Sequence, residues 1–307
     1  MTAASKHFLA ATDLSVPSLH AVDRGFLLAR EGGARYTVMH ALAIDTPEEF
    51  RQLLGERLAA VLHNIEQHAL ESLAAVVSDP TRHAGVSAAI RVEPGLAFSA
   101  IPACAEALGA DLVLLGARGE GFLQTLLLGS TASRLLRKSR CPVLVVKQPA
   151  EQAYRRVLIP VDFSPASGLA IRMARQVAPD AYIVLLHVFE APFEGKMAYA
   201  GVDEEFIAQY RAEAREHALE RMRELAAAAG LTAANHARVV LPGNPAREIL
   251  EEERKHRHDL IVMGKHGTHL TEELLLGSLT KRVLAESLCD VLVVVDERPP
   301  APDPKPA

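Results

Sequence analysis

Gly116-Ala-Arg-Gly119 is followed, after nine residues, by Gly129-Ser130, and Gly264-Lys-His-Gly267 is followed, after nine residues, by Gly277-Ser278. The two copies stand 148 residues apart. Each follows an apolar run, 112–116 or 260–264, and leads into a helical pattern. A glycine loop between a strand end and a helix start is suited to phosphate. Glycines permit close backbone approach and positive φ, and a helix N-terminus offers free N–H groups and partial positive charge. Ser130 and Ser278 sit at the helix starts, where a hydroxyl caps the helix or exchanges that bond for a phosphate oxygen. Arg118 and Lys265 are cations within the loops; they screen phosphate charge or are solvated loop residues. Asp13 and Asp162 follow the first strand pattern of each half. A carboxylate there bonds a ribose hydroxyl or a metal, or caps the next helix with Ser15 or Ser164, and both readings stand open.

Other chemistry finds less support. The Walker A pattern is missing, and Gly119-Glu-Gly121 fails as a dinucleotide fingerprint because position 124 is Gln. His256 and His258, and His266 and His269, are closely spaced, but a zinc site needs three or four converging ligands and no cysteine is nearby in sequence. His40 and His187 are repeat equivalents at a strand end and read as buried and hydrogen-bonded. Cys104, Cys141 and Cys289 have no metal or redox spacing, and core packing is their reading. No Ser nucleophile elbow, HExxH or paired carboxylate occurs, so no catalytic residue is assigned.

Positioning these loops requires strands alternating with helices, the pattern of a parallel sheet covered on both faces. Strands are expected near 7–12, 36–41, 87–93, 111–116 and 142–147, and again near 155–161, 181–188, 236–241, 259–264 and 290–295. Helices are expected near 16–31, 48–77, 97–109 and 130–139, and near 166–178, 203–229, 245–257 and 278–287. At 307 residues the chain fits two domains, 1–147 and 155–296, joined by the polar 147–154 segment and followed by a Pro-rich tail, 297–307, expected to be disordered. Residues 1–150 hold 14 basic and 14 acidic residues, so the net charge of −5 belongs to the second half. Neither half is basic enough to make nucleic acid the main partner. No apolar run approaches a membrane span and no leader pattern precedes the first strand, which points to a soluble cytoplasmic protein.

With these segments in place, the chain resembles the universal stress protein family in its tandem form. The family's nucleotide-binding members carry G-x2-G-x9-G-[ST] after the fourth strand, and both copies match. The likeness extends to Ala11-Thr-Asp13-Leu-Ser15 and Pro160-Val-Asp162-Phe-Ser164, to Met39-His-Ala41 and Leu186-His-Val188, and to Pro242-Gly-Asn-Pro-Ala246. The resemblance implies two Rossmann-like domains of the adenine nucleotide alpha hydrolase type, each with a five-stranded parallel sheet and helices on both faces. It implies ATP, with Mg²⁺ as a candidate companion, across the carboxyl ends of strands 1 and 4, in keeping with ligand binding at topological switch points. Thr12 with Asp13, and Val161 with Asp162, would border the adenosine. Ala41 and Val188 would line the adenine slot. Gly116, Gly119, Gly129 and Ser130, with Thr131, would cradle phosphates in the first half, and Gly264, Gly267, Gly277 and Ser278 in the second.

The first half departs from the pattern with Ala11-Thr12 for Pro160-Val161 and with Gly95-Leu-Ala-Phe98 for Gly243-Asn-Pro-Ala246. Ala41, smaller than Val188, should leave a looser slot. The second half has Leu279 where the first has Thr131. The expected function is an ATP-binding stress-response regulator read by a protein partner. The alternatives are a slow ATPase using metal and water, or an interaction protein with vestigial sites. The apolar last strands should pair as sheet edges, making the halves an intramolecular pseudo-dimer. Self-association of the full chain into a homodimer is a further expectation.

Overall fold

The computed structural model describes residues 6–43, 56–83, 85–118, 129–189, 202–267 and 276–295. Gly119 and the tail from 297 onward lie outside the described residues. The first half contains strands β1 (His7–Ala11), β2 (Arg35–Leu42), β3 (Ala88–Pro94), β4 (Leu112–Gly116) and β5 (Val143–Val146). Its helices are α1 (Val16–Gly32), α2 (Glu56–Ser78), the one-turn α3 (Pro80–His83), α4 (Ala97–Leu108) and α5 (Ser130–Lys138). The second half repeats the plan. Its strands are β6 (Arg156–Pro160), β7 (Tyr182–Phe189), β8 (His236–Pro242), β9 (Leu260–Gly264) and β10 (Asp290–Val294). Its helices are α6 (Pro165–Val177), α7 (Glu204–Ala228), α8 (Pro245–His256) and α9 (Ser278–Glu286). The expected helix start near 48 lies outside the described residues, and α3 was not expected.

All ten strands form one sheet in the order β3-β2-β1-β4-β5-β10-β9-β6-β7-β8. Pairing within each half is parallel. The short central strands are buried along their length, as β1 and β5 show, because helices cover both faces. Phe26 of α1, Leu73 of α2, Ile171 of α6 and Met222 of α7 belong to the core on one face. Ile101 of α4, Leu135 of α5, Ile249 of α8 and Val283 of α9 belong to the core on the other. The chain therefore reverses its winding between β1 and β4, and between β6 and β9. At such a reversal two successive connections leave on opposite faces and a crevice opens at the carboxyl ends of the strands.

The halves meet through β5 and β10, which pair antiparallel with Val143 opposite Val293, Leu144 opposite Leu292 and Val145 opposite Val291. The sheet edge of each half is thus closed by the other. Beside this seam Asp290 is fully buried, at 0% exposure. It accepts hydrogen bonds from the N–H groups of Lys147 (2.8 Å) and Gln148 (3.1 Å) and from the Tyr154 hydroxyl (2.6 Å). Arg24 of α1 stands 3.5 Å from it and stacks over the Tyr154 ring. Burial pushes the Asp290 carboxyl above the usual carboxylate range despite these partners. The 147–154 connection is polar in sequence, yet both its ends are held in the interface.

Candidate functional site

The first turn of each site is built around an aspartate. In the second half the Oδ1 of Asp162 accepts from the Ser164 N–H (3.0 Å), the Ser164 hydroxyl (2.6 Å) and the Ser167 hydroxyl (2.8 Å). In the first half the Oδ1 of Asp13 accepts from the Ser15 N–H at 3.1 Å and from the Ser15 hydroxyl. The residues that follow, Leu14 and Phe163, take left-handed φ values of 66° and 62°. That conformation is costly for a branched or aromatic side chain and tends to cluster at functional sites. Behind each turn a histidine ring donates from Nδ1 to a carbonyl: His40 to Thr12 at 2.8 Å and His187 to Val161 at 2.7 Å. A carbonyl only accepts, so Nδ1 carries the proton.

Facing these turns are the N-termini of α5 and α9. Gly129 and Gly277 are the N-cap residues, and neither helix has a side-chain cap bond. Ser130 and Ser278 occupy the first helical position and are exposed, so their hydroxyls do not cap. Among the described residues, no side chain caps the first-turn N–H groups of either helix, and these groups face the cavities. The motif glycines are not chosen for positive φ: Gly129 and Gly277 have φ of −57° and −55°. They are chosen for space. A Cβ on Gly116 would lie 2.7 Å from the Pro17 carbonyl oxygen, and one on Gly264 2.8 Å from Ala166 Cβ. A Cβ on Gly129 or Gly277 would lie 3.3 Å from a loop carbonyl.

The expected site residues converge on two cavities. In the second half Val161, Asp162, Val188, Gly264, Gly267, Gly277 and Ser278 line a cavity of about 430 Å³. In the first half Thr12, Asp13, Ala41, Gly116, Arg118, Gly129, Ser130 and Thr131 line one of about 210 Å³. The smaller Ala41 does not give the roomier pocket. Small-molecule pockets run upward from about 300 Å³, so the second cavity has the proportions of a ligand site and the first is tight. The Thr12 hydroxyl is committed to the turn, 2.7 Å from the Ser18 hydroxyl and accepting from the Leu14 N–H at 2.9 Å.

Lys265 does not reach its cavity. It is 4% exposed, and its Nζ donates to the carbonyl of Arg137 at 2.7 Å, at the C-terminus of α5 in the other half. Register explains this. Lys265 is equivalent to Ala117, which borders both the seam and the first cavity, whereas the equivalent of Arg118 is His266, which does line the second cavity. Sequence reasoning also missed Ser18 and Ser167, and the walls made by Ala97 with Ile101 and Pro245 with Ile249. A signal for the serines was present: D-x-S-x-x-S occurs at Asp13–Ser18 and again at Asp162–Ser167.

Among the described residues, no group of three or more His, Cys, Asp or Glu side chains is placed to hold a metal ion. Among the described residues, no helix is long and apolar enough to cross a membrane. The arrangement joins an apolar slot, a carboxylate for hydroxyl groups and a helix N-terminus for an anion.

The sequence model of the universal stress protein family matches residues 4–147 and again 153–295. A universal stress protein of Mycolicibacterium smegmatis is 32% identical over 276 residues, covering 85% of this chain and 87% of its own. One from Methanocaldococcus jannaschii is 35% identical over 147 residues, 47% of this chain and 84% of its own. The crystal structure of a universal stress protein from Archaeoglobus fulgidus superposes with a TM-score of 0.62 at 22% identity, covering 95% of this chain and 98% of that one, and supports the fold. Two family matches covering both halves, on a doubled parallel sheet, place this chain in the universal stress protein family as a tandem of two domains.

Proposed function

We propose that the chain binds ATP in both halves and acts in the cytoplasm as a nucleotide-dependent stress-response regulator, its state read by a protein partner. One observation carries this reading: in both halves a strand-1 aspartate, an apolar slot and an uncapped helix N-terminus converge on one cavity at the switch point. Asp162 is suited to a ribose hydroxyl, Val188 to the base, and the Gly277–Ser278 helix start to phosphate. Mg²⁺, when present, would be held chiefly by the phosphates. The second cavity is the primary site because it has room for a nucleoside, and the first binds more weakly. The functional domains are taken as 1–147 and 155–296.

The test is calorimetry with ATP, ADP, AMP, cAMP and GTP, with and without Mg²⁺, alongside mass spectrometry of ligand released from freshly purified protein. Gly129→Val with Gly277→Val should abolish ATP binding while the fold persists, since each added Cβ meets one carbonyl at 3.3 Å. Gly129→Val alone should retain the tighter site. No heat at millimolar ATP, together with no co-purified adenine nucleotide, would sink the reading. Single-turnover assays would reveal hydrolysis if the sites do more than bind.

A further inference from the structure

Lys265 has its main chain in one cavity's frame and its side chain on the other's. Its N–H donates to the Val294 carbonyl (2.9 Å), and its own carbonyl accepts from Gly277 N–H (3.0 Å), the N-cap of the helix that lines the second cavity. Its ammonium crosses the seam to the last carbonyls of α5, Arg137 at 2.7 Å and Ser139 at 3.5 Å. The opposite end of α5, from Gly129 to Thr131, lines the first cavity. Lys147 does the converse. It follows Val146, whose carbonyl accepts from Ala117 N–H (2.9 Å) in the first cavity's loop. Its ammonium donates to the carbonyls of Leu284 (2.8 Å) and Ser287 (2.7 Å) and to the Ser287 hydroxyl (2.6 Å), at the end of α9.

We propose that Lys265 is a positioning residue for the first cavity, and Lys147 for the second, so that each anion-facing helix is clamped from behind by a lysine rooted beside the other cavity. This rests on the reading of both cavities as nucleotide sites. The physical basis is the helix itself. A nine-residue helix is a rod of about 13 Å. A cation on its last carbonyls and an anion at its first N–H groups are both favoured by its dipole. The ammonium also fixes where the rod ends, and hence how far its N–H groups reach into the cavity. A shift of the 264–267 loop moves Lys265, and with it the hold on α5. The two sites are thereby coupled through buried charge-assisted hydrogen bonds.

The chain has no tryptophan, so Phe98→Trp gives a single, selectively excitable indole beside α5, where Arg134 and Lys138 lie over the ring. In that full-length background MgATP titration by fluorescence reads the first site, and calorimetry reads both. Lys265→Met should weaken the first site by about 5- to 20-fold. Lys265→Arg, which keeps the charge, should stay within about threefold of the parent. If Lys265→Met does not fold, Lys265→Gln replaces it, with an expected loss of about 3- to 10-fold. The clamp is overturned if the uncharged variants leave the fluorescence-read affinity unchanged, or weaken only the second site. A parent that binds no nucleotide in calorimetry overturns the nucleotide reading and the clamp together. A parent that binds while the variants have no cross-seam effect overturns the clamp alone.

Discussion

Asp162 divides its two oxygens between the chain and the cavity. Oδ1 is committed to the turn by three donors. Oδ2 lies toward Gly267, 3.3 Å from where a Cβ on that glycine would sit. The helix-cap and ribose readings of this carboxylate are therefore compatible in one side chain. Asp162→Asn keeps a turn acceptor but loses the charge, so stability should change by less than about 1 kcal/mol. With the amide oxygen kept in the turn, the side chain presents an NH₂ donor to the cavity in place of a charged acceptor, and exchanging a charge-assisted bond for a neutral one costs about 1 kcal/mol, so ATP affinity at the second site should fall about fivefold. Asp162→Ala removes both roles and should cost about 1–2 kcal/mol of stability as well. Urea unfolding and calorimetry on the two variants separate the effects; an unchanged affinity in Asp162→Asn would confine the carboxylate to the turn. At this scale the glycines, the aspartates and the slot residues were legible because their spacing repeats. The direction of Lys265 was not, because a loop residue's facing depends on a seam formed by distant parts of the chain. The left-handed Leu14 and Phe163 were equally hidden, since neither residue type announces positive φ.

The helices α5 and α9 show how an element's two ends can belong to different environments. Among the described residues, their N-termini face the cavities without side-chain caps, and their C-termini are closed by lysines from across the seam. Lys147 is desolvated enough for its titration to move. Burial lowers its pKa from the ordinary 10.5 to about 8, with Arg118 lowering it further and Cys289, Glu253 and Asp290 opposing. Between pH 8 and 10.5 the unfolded chain binds this proton and the folded chain does not, so stability rises with pH across that window. Below pH 8 the cost of holding the charge is fully present. Wild type should therefore gain up to about 3 kcal/mol over Lys147→Met on going from pH 7.5 to pH 10.5, measured by urea unfolding at each pH. Taking the difference removes the other groups that titrate there. A flat difference would mean that the ammonium is solvated. The alternation of apolar runs and helical patterns made nearly all the elements visible in sequence. The short α3 was missed although Asp79-Pro80 announces it: the Asp79 carboxylate accepts from Thr81 N–H at 2.9 Å, and proline suits a first helical position.

At the scale of the whole molecule the seam is asymmetric, and that asymmetry should decide which halves pair. The apolar character of β5 and β10 was readable and pointed to edge pairing. Asp290 was not, because its partners Arg24, Lys147 and Tyr154 come from distant parts of the sequence. A second half pairing with a copy of itself through β10 would bring two Asp290 carboxylates to the seam. Each would lack Arg24, because the equivalent position in α6, 149 residues on, is Met173. Leaving a buried charge without its partner costs about 3–5 kcal/mol. The first half has Pro142 where the second has Asp290, so pairing with a first half restores Arg24 and the two linker N–H groups to the carboxylate. Residues 1–150 and 151–307, expressed separately and mixed, should therefore form a one-to-one complex in preference to dimers of the second half. Native mass spectrometry of the mixture reads the distribution directly. Asp290→Asn in the second half should relax the preference by removing the unpaired charge, raising its self-pairing. A mixture in which second-half homodimers dominate, or in which Asp290→Asn leaves the distribution unchanged, would show that the apolar strands alone govern assembly and that Asp290 contributes no partner choice.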